Sequence, residues 1–168
     1  MANEKENQPG RQYLPVATIY HPKKNGNGSA LAFRLTPAND RATGFLQMEF
    51  AKQSFAGDEE QKLFPRFDWE HRIKLRLNPY EVAELIEVFR GIKESLRDGA
   101  GFIHNMEKRT AVLRVAHATE PVPYYAFHVI VSRDGEDDSE AKIGLTPSEV
   151  LAIETGLSSS MGRMLFGN

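Results

Sequence analysis

The chain of 168 residues contains no cysteine. That excludes disulfide frameworks, thiolate nucleophiles and cysteine-bound zinc. It also lacks any apolar run approaching the roughly 20 residues that span a bilayer. The polar segment Met1 to Gln12 has no apolar core of the kind that marks a secretory signal. A soluble cytoplasmic protein without membrane association is expected, nucleoid-associated if cellular, with virus encoding left open as an alternative. Catalytic and metal-binding patterns are missing too. The histidines at 21, 71, 104, 117 and 128 include no His-x-x-x-His pair and no carboxylate at ligand spacing. No glycine-rich loop leads from a strand into a helix. Ser158-Ser159-Ser160 falls late in a predicted helix rather than on a nucleophile elbow. The run Asp134-Gly135-Glu136-Asp137-Asp138-Ser139-Glu140 has its glycine out of place for a calcium loop and reads as an acidic hairpin tip. The expectation is a non-enzyme with no cofactor and no metal.

One sign of charge is not in excess either: the formal net charge is −2. A nucleic-acid binder is usually basic, but the distribution matters more than the total. Acids gather at Asp58-Glu59-Glu60, at Asp134 to Glu140 and along one predicted helix, whereas bases fall on predicted strands.

What is present is two-residue alternation. Residues 1–12 are expected to form a disordered tail. Strands are predicted at Tyr13–His21, Ser29–Leu35 and Gly44–Lys52, with Lys23-Lys24-Asn25-Gly26 in a hairpin turn between the first two. From His71 to Leu77, Ile73, Leu75 and Leu77 point one way and Arg72, Lys74 and Arg76 the other. A helix follows, with Asn78 as cap, Pro79 in the first turn and Glu81 completing a capping box. Its apolar stripe is Val82, Leu85, Ile86, Phe89 and Ile92, and Asp98-Gly99 is its expected stop. Further strands are predicted at Phe102–Met106, Arg109–Ala116, Tyr124–Ser132 and Ala141–Leu145, then a helix from Pro147 towards Leu165.

The two strand-to-helix junctions repeat. Lys74-Leu75-Arg76-Leu77-Asn78-Pro79-Tyr80-Glu81-Val82 aligns with Lys142-Ile143-Gly144-Leu145-Thr146-Pro147-Ser148-Glu149-Val150, an offset of 68. Upstream, Gly44–Lys52 aligns with Tyr124–Ser132 at an offset of 80, the difference of 12 falling in the loop Gln53–Glu70. The fold class expected is α+β: two antiparallel sheets, each followed by an amphipathic helix that covers its inner face. Residues 13–168 form one duplicated domain, with repeats of about 13–99 and 100–168.

The pattern Lys-x-x-Leu-x-Pro-x-Glu, present at Lys74–Glu81 and Lys142–Glu149, resembles the end of the positive cofactor four domain. Two such units in one chain resemble the Whirly proteins. Asn27-Gly28-Ser29-Ala30-Leu31 is similar to their Lys-Gly-Lys-Ala-Ala-Leu motif, with Asn27 and Ser29 in place of its lysines. The resemblance implies single-stranded DNA binding across sheet faces or edges, in a symmetric assembly, with roles in transcription, recombination or replication.

The residues themselves offer candidates for such contacts. Arg72, Lys74 and Arg76 recur about 6.6 Å apart along a strand, near the spacing of phosphates on an extended single strand. Lys108, Arg109, Arg114 and Lys142 form a comparable set in the second repeat, and Lys23, Lys24 and Arg34 a third. Trp69 and Tyr124 lead the candidate stacking platforms, with Tyr20, His21, Phe64, Phe67 and His128 behind them, while Phe45, Phe50, Phe89 and Phe127 read as core. Single-stranded RNA is an alternative ligand, and a sheet-based protein-interaction module an alternative class. The apolar excess of Met161, Met164, Leu165 and Phe166 at the chain end predicts a homo-oligomer held through helices.

Overall fold

The computed structural model describes residues 14–167, so the expected tail and Tyr13 lie outside the described residues. Nine strands and two helices follow in the order β1 (Leu14–His21), β2 (Ser29–Thr36), β3 (Phe45–Phe55), β4 (Arg66–Phe67), β5 (Ile73–Leu77), α1 (Pro79–Phe89), β6 (Phe102–Met106), β7 (Arg109–Ala118), β8 (Tyr124–Arg133), β9 (Ser139–Leu145) and α2 (Pro147–Phe166). The first sheet runs β1-β2-β3, with β5 paired to the early part of β3 and the two-residue β4 to its end. The second sheet runs β6-β7-β8-β9. Every pairing is antiparallel. The architecture is therefore the expected α+β one, two antiparallel sheets each followed by a helix.

Both helices start as their capping residues dictate. Asn78 accepts from the amides of Tyr80 and Glu81 while Glu81 accepts from the Asn78 amide at 2.9 Å. Thr146 and Glu149 make the same reciprocal pair, with the Thr146 amide 2.8 Å from the Glu149 carboxylate. Such a box satisfies two of the amides a helix start leaves open. The end of α1 differs from expectation. It stops at Phe89, because Gly91 takes a φ of +69° that ends the helix, and Ile92 is 68% exposed rather than part of the stripe. Asp98-Gly99 belongs instead to a short 3-10 turn, Leu96–Gly99. The long first-repeat loop is also more ordered than its composition suggests, since β3 continues to Phe55 and β4 returns beside it.

The ladder registers give the repeat its alignment. Leu46 faces Leu77 in the first sheet and Tyr125 faces Leu145 in the second, so β3 and β8 correspond at an offset of 79, one less than the offset read from sequence. The same registers equate His21 with His104. Each lies two residues beyond the first-strand partner of the equivalent Leu31 and Leu113. Each also reaches the capping-box glutamate of the other repeat: His21 Nε2 is 2.7 Å from Glu149 and His104 Nε2 is 2.8 Å from Glu81. The two repeats are thus stapled to one another by a reciprocal pair of His–Glu contacts.

The helices are exchanged in the same sense, which corrects the expectation that each covers its own sheet. Helix α1 packs on β7 as well as on β3 and β5, and α2 lies against β1 and β2 as well as β8. The carbonyls of Arg163 and Met164 in α2 accept from the amides of Ala38 and Gly44, each at 2.8 Å, in the β2–β3 connection. One core results. Leu31, Phe33, Leu46, Met48 and Leu77 of the first sheet meet Leu113, Phe127, Val129 and Leu145 of the second, with Val82, Leu85, Phe89, Val150, Ile153 and Leu157 of the helices. The rings of Phe33 and Phe127 touch edge to face at 6.4 Å, and Phe89 packs on Phe127 and Tyr125. At about 1.5–3 kcal/mol for each fully buried side chain, this shared core makes the repeats interdependent.

Candidate nucleic-acid interface

Along seven of the strands the apolar phase faces the shared core, but its last residue at one end is polar. The series Leu46, Met48, Phe50 continues to Lys52. Leu77, Leu75, Ile73 runs back to His71, and Val115, Leu113, Ala111 to Arg109. Tyr125, Phe127, Val129, Val131 ends in Arg133, and Leu145, Ile143, Ala141 in Ser139. Ile19 is followed in phase by His21, and Leu31 is preceded by Ser29. Where the apolar series ends, the two sheets part and leave a groove.

The groove has three connected stretches. The widest, about 710 Å³, is lined by His21, Lys23, Ser29 and Lys52 of the first repeat and by Tyr124, His128, Glu140 and Lys142 of the second. It continues past Lys52, His71, Ile73, Ser139 and Ala141. It ends in a crevice of about 480 Å³ walled by Glu70–Lys74 and by Arg109, Val131, Arg133 and Ser139. The edge strand β9 runs along this whole course, and bases from both repeats face it.

Local structure holds the wide end open. The β1–β2 turn is pinned by Gln53, whose Oε1 accepts from the amides of Gly28 at 2.8 Å and Lys23 at 2.9 Å. A Cβ on Gly28 would lie 2.2 Å from that oxygen and 2.5 Å from the His21 carbonyl, so only glycine fits. Across the groove, the Tyr124 ring lies over Gly144, where an added Cβ would come within 3.2 Å of it. Glu140 is 3.0 Å from His128 and 3.3 Å from Lys142, and these two hydrogen bonds hold its carboxyl below the ordinary glutamate range.

The predicted residues divide accordingly. Lys23, Tyr124 and Lys142 meet at the wide end, and Arg72, Lys74 and Arg109 at the crevice. Lys24 points away and pairs with Glu59 at 3.4 Å. Arg34 lies on the outer face of the first sheet and Lys108 in the exposed β6–β7 turn, while Arg114 is the cross-strand neighbour of His128 and shares with it and Lys142 the sheet face that borders the wide end. Trp69 packs edge-on against Tyr20 at 6.2 Å, beside Phe67, so these aromatics cover the outer face of the first sheet. Phe64 is left exposed at the loop tip.

The continuous track of Arg72, Lys74 and Arg76 does not form. Arg72 precedes β5, and its guanidinium, with that of Arg34, turns to Glu49, both Nε atoms lying 3.2 Å from one carboxylate oxygen. Arg72 also donates to the Trp69 carbonyl. Arg76 lies over the Phe45 ring at 4.7 Å, so Phe45 supports an arginine instead of joining the core. Glu49 is buried; burial pushes its carboxyl up, and the hydrogen bonds from Arg34 and Gln47 with the charge of Arg72 more than reverse this, leaving it below 4.5.

Lys52, Gln53, Arg133 and Ser139 were absent from the sequence candidates although they shape the groove. A signal for three of them was present: each is a polar residue in the apolar phase at a strand end. Among the described residues, no group of three or more histidine or acidic side chains is placed to hold a metal.

No protein-family model and no curated protein matches the sequence. Solved structures do match in fold. WHY1 from Arabidopsis thaliana superposes with a TM-score of 0.71 at 21% identity, over 95% of this chain and 89% of that one. WHY3 from Arabidopsis thaliana gives 0.69 at 19% identity, over 92% and 89%. The plant transcriptional regulator PBF-2 gives 0.66 at 18% identity, over 91% and 82%. The fold is Whirly-like, as the duplicated junctions implied.

Proposed function

We propose that this protein binds single-stranded nucleic acid, DNA in the first place, along the inter-sheet groove and without catalysing a reaction. The observation that carries the reading is the groove itself: one course lined by Lys23, Lys52, Lys142, Lys74, Arg109 and Arg133 from both repeats, with Tyr124 at its wide end. Cations set along an edge strand neutralise successive phosphates and release counterions, which supplies affinity without regard to sequence. Tyr124, seated over Gly144, offers a ring on which an unstacked base can lie. A duplex keeps its bases stacked and cannot use that ring. The likeness to PBF-2 supports a role in transcription, while recombination and replication rest on the motif resemblance. RNA is the alternative ligand, distinguished by contacts to the 2′-hydroxyl.

The exposed Leu151 and Phe166 of α2 and Tyr80 of α1 favour a helix-mediated homo-oligomer. The test of binding is fluorescence anisotropy with a labelled 20-nucleotide strand as DNA, RNA and duplex over a salt series. The single strand should bind tightest, with log affinity falling linearly against log salt. Equal affinity for duplex, or binding indifferent to salt, overturns the reading.

A further inference from the structure

At the narrow end of the groove, Arg109 reaches from β7 across the seam and donates from Nη2 to the Lys74 carbonyl at 3.0 Å. It thereby bridges the two walls. Its charge is poorly matched: among the described residues no carboxylate lies within ion-pair distance, and its buried Nε has no hydrogen-bond acceptor. Burial, and then the charge of the cross-strand neighbour Arg133, lower its pKa from the ordinary arginine value. Among the described residues Arg133 itself is held only by Glu136, at 3.2 Å on the exposed hairpin. Lys74 likewise has no carboxylate partner among the described ion pairs. Of the other cations here, Arg72 is engaged by Glu49 and His71 by Asp68. Glu70 is the one acid on the walls.

Two weakly compensated arginines on adjacent strands, Arg109 and Arg133, with Lys74 at the rim, therefore border a cavity of about 480 Å³. Like charges held side by side, one of them partly buried, repel, and an anion with several oxygens would offset that repulsion by accepting from more than one of them. We propose that this crevice is a phosphate site, occupied by the dianionic terminal phosphate of a strand lying in the groove. A terminal group fits better than a passing phosphodiester for two reasons. It carries close to two charges rather than one, matching the excess. And the Arg109 bridge closes the seam, so a strand following the groove meets a barrier there.

The inference rests on the proposed binding of a single strand, and the experiment separates the two. Anisotropy is measured with one oligothymidylate bearing a 5′-phosphate, a 3′-phosphate or neither, against the full chain and its Arg133→Gln and Arg109→Gln variants. In parallel, pyrophosphate is titrated while the arginine Nε–H signals are followed by NMR. One phosphorylated end should bind roughly tenfold tighter than the plain strand. Arg133→Gln, on an exposed hairpin, should weaken every strand by about one phosphate contact and, beyond that, should erase the difference between phosphorylated and plain strands; Arg109→Gln should do the same. Pyrophosphate should shift the Arg109 signal saturably.

Pyrophosphate saturation without strand binding would uphold the phosphate site and defeat the nucleic-acid reading. Strand binding with no end preference would overturn the terminal-phosphate assignment. If pyrophosphate also left Arg109 unmoved, the crevice would be ordinary basic surface.

Discussion

Replacing Glu49 with Gln should weaken the fold and strengthen nucleic-acid binding at once. Glu49 is 3% exposed and lies 3.2 Å from the Nε atoms of both Arg34 and Arg72, with Gln47 donating to it at 2.6 Å. Removing one member of a fully buried charge network costs about 3–5 kcal/mol. Here the arginine side chains are 38% and 27% exposed and can turn to water, so the expected loss is smaller, about 1–2 kcal/mol. For a chain of this size that is a fall of roughly 2–8 °C in the melting midpoint. The freed Arg72 already borders the narrow crevice and becomes available to a phosphate. One added contact should steepen the plot of log affinity against log salt by about 0.7. The pH dependence gives an internal check. Because the folded carboxyl is held below 4.5, its stabilisation is complete above that pH and is lost as pH falls through the depressed value. The variant should lack that part of the acid-induced loss. Urea unfolding at pH 7 and pH 4 with a salt series of binding isotherms measures all three. Unchanged stability together with an unchanged salt slope would refute the view that Glu49 sequesters Arg72.

Gly28→Ala should cost about 1–3 kcal/mol, read by thermal melting, because the new methyl collides with Gln53 and the His21 carbonyl. An unshifted midpoint would show that the turn relaxes freely. Tyr124→Ala should lower affinity for a single strand by about 1–3 kcal/mol with the salt slope unchanged, since the contact is to a base; Lys74→Ala should instead flatten the slope by about 0.7. The reciprocal pairs His21–Glu149 and His104–Glu81 hold both glutamates below 4.5. For each, burial raises the pKa and the histidine and capping hydrogen bonds outweigh it. Stability should therefore fall as pH drops below about 4.5, and His21→Phe with His104→Phe should reduce that dependence in acid unfolding curves. Phe166→Ser should reduce the mass found by light scattering if α2 carries the assembly contact, and an unchanged mass would place that contact elsewhere.

Local chemistry made the secondary structure legible. Asn78-Pro79 with Glu81, and Thr146-Pro147 with Glu149, are complete capping signals within four residues, and the structure starts both helices there. Alternation along Ile73–Leu77 set which residues face the core, because side chains on a strand change sides at every step. The repeated junction carried the fold class for the same reason, since each half contains its own local instructions. The end of α1 at Phe89 was less legible, as Gly91 competed with a plausible stop at Asp98-Gly99.

Tertiary structure decided what the charges do. Arg72, Lys74 and Arg76 look equivalent in sequence, yet one is drawn to Glu49, one borders the crevice and one covers Phe45. Glu49 is more than twenty residues from Arg72, and nothing local to either announces the pair. The groove arises in the same way. Lys52, His71, Arg109, Arg133 and Ser139 each end an apolar series on a different strand, which a phase count along the chain reveals. That these ends converge depends on the two sheets meeting at Phe33 and Phe127 and on helices crossing between repeats. Alternation is a property of neighbouring peptides and is written in the chain. Convergence is a property of how distant strands pack, and only the folded core sets it.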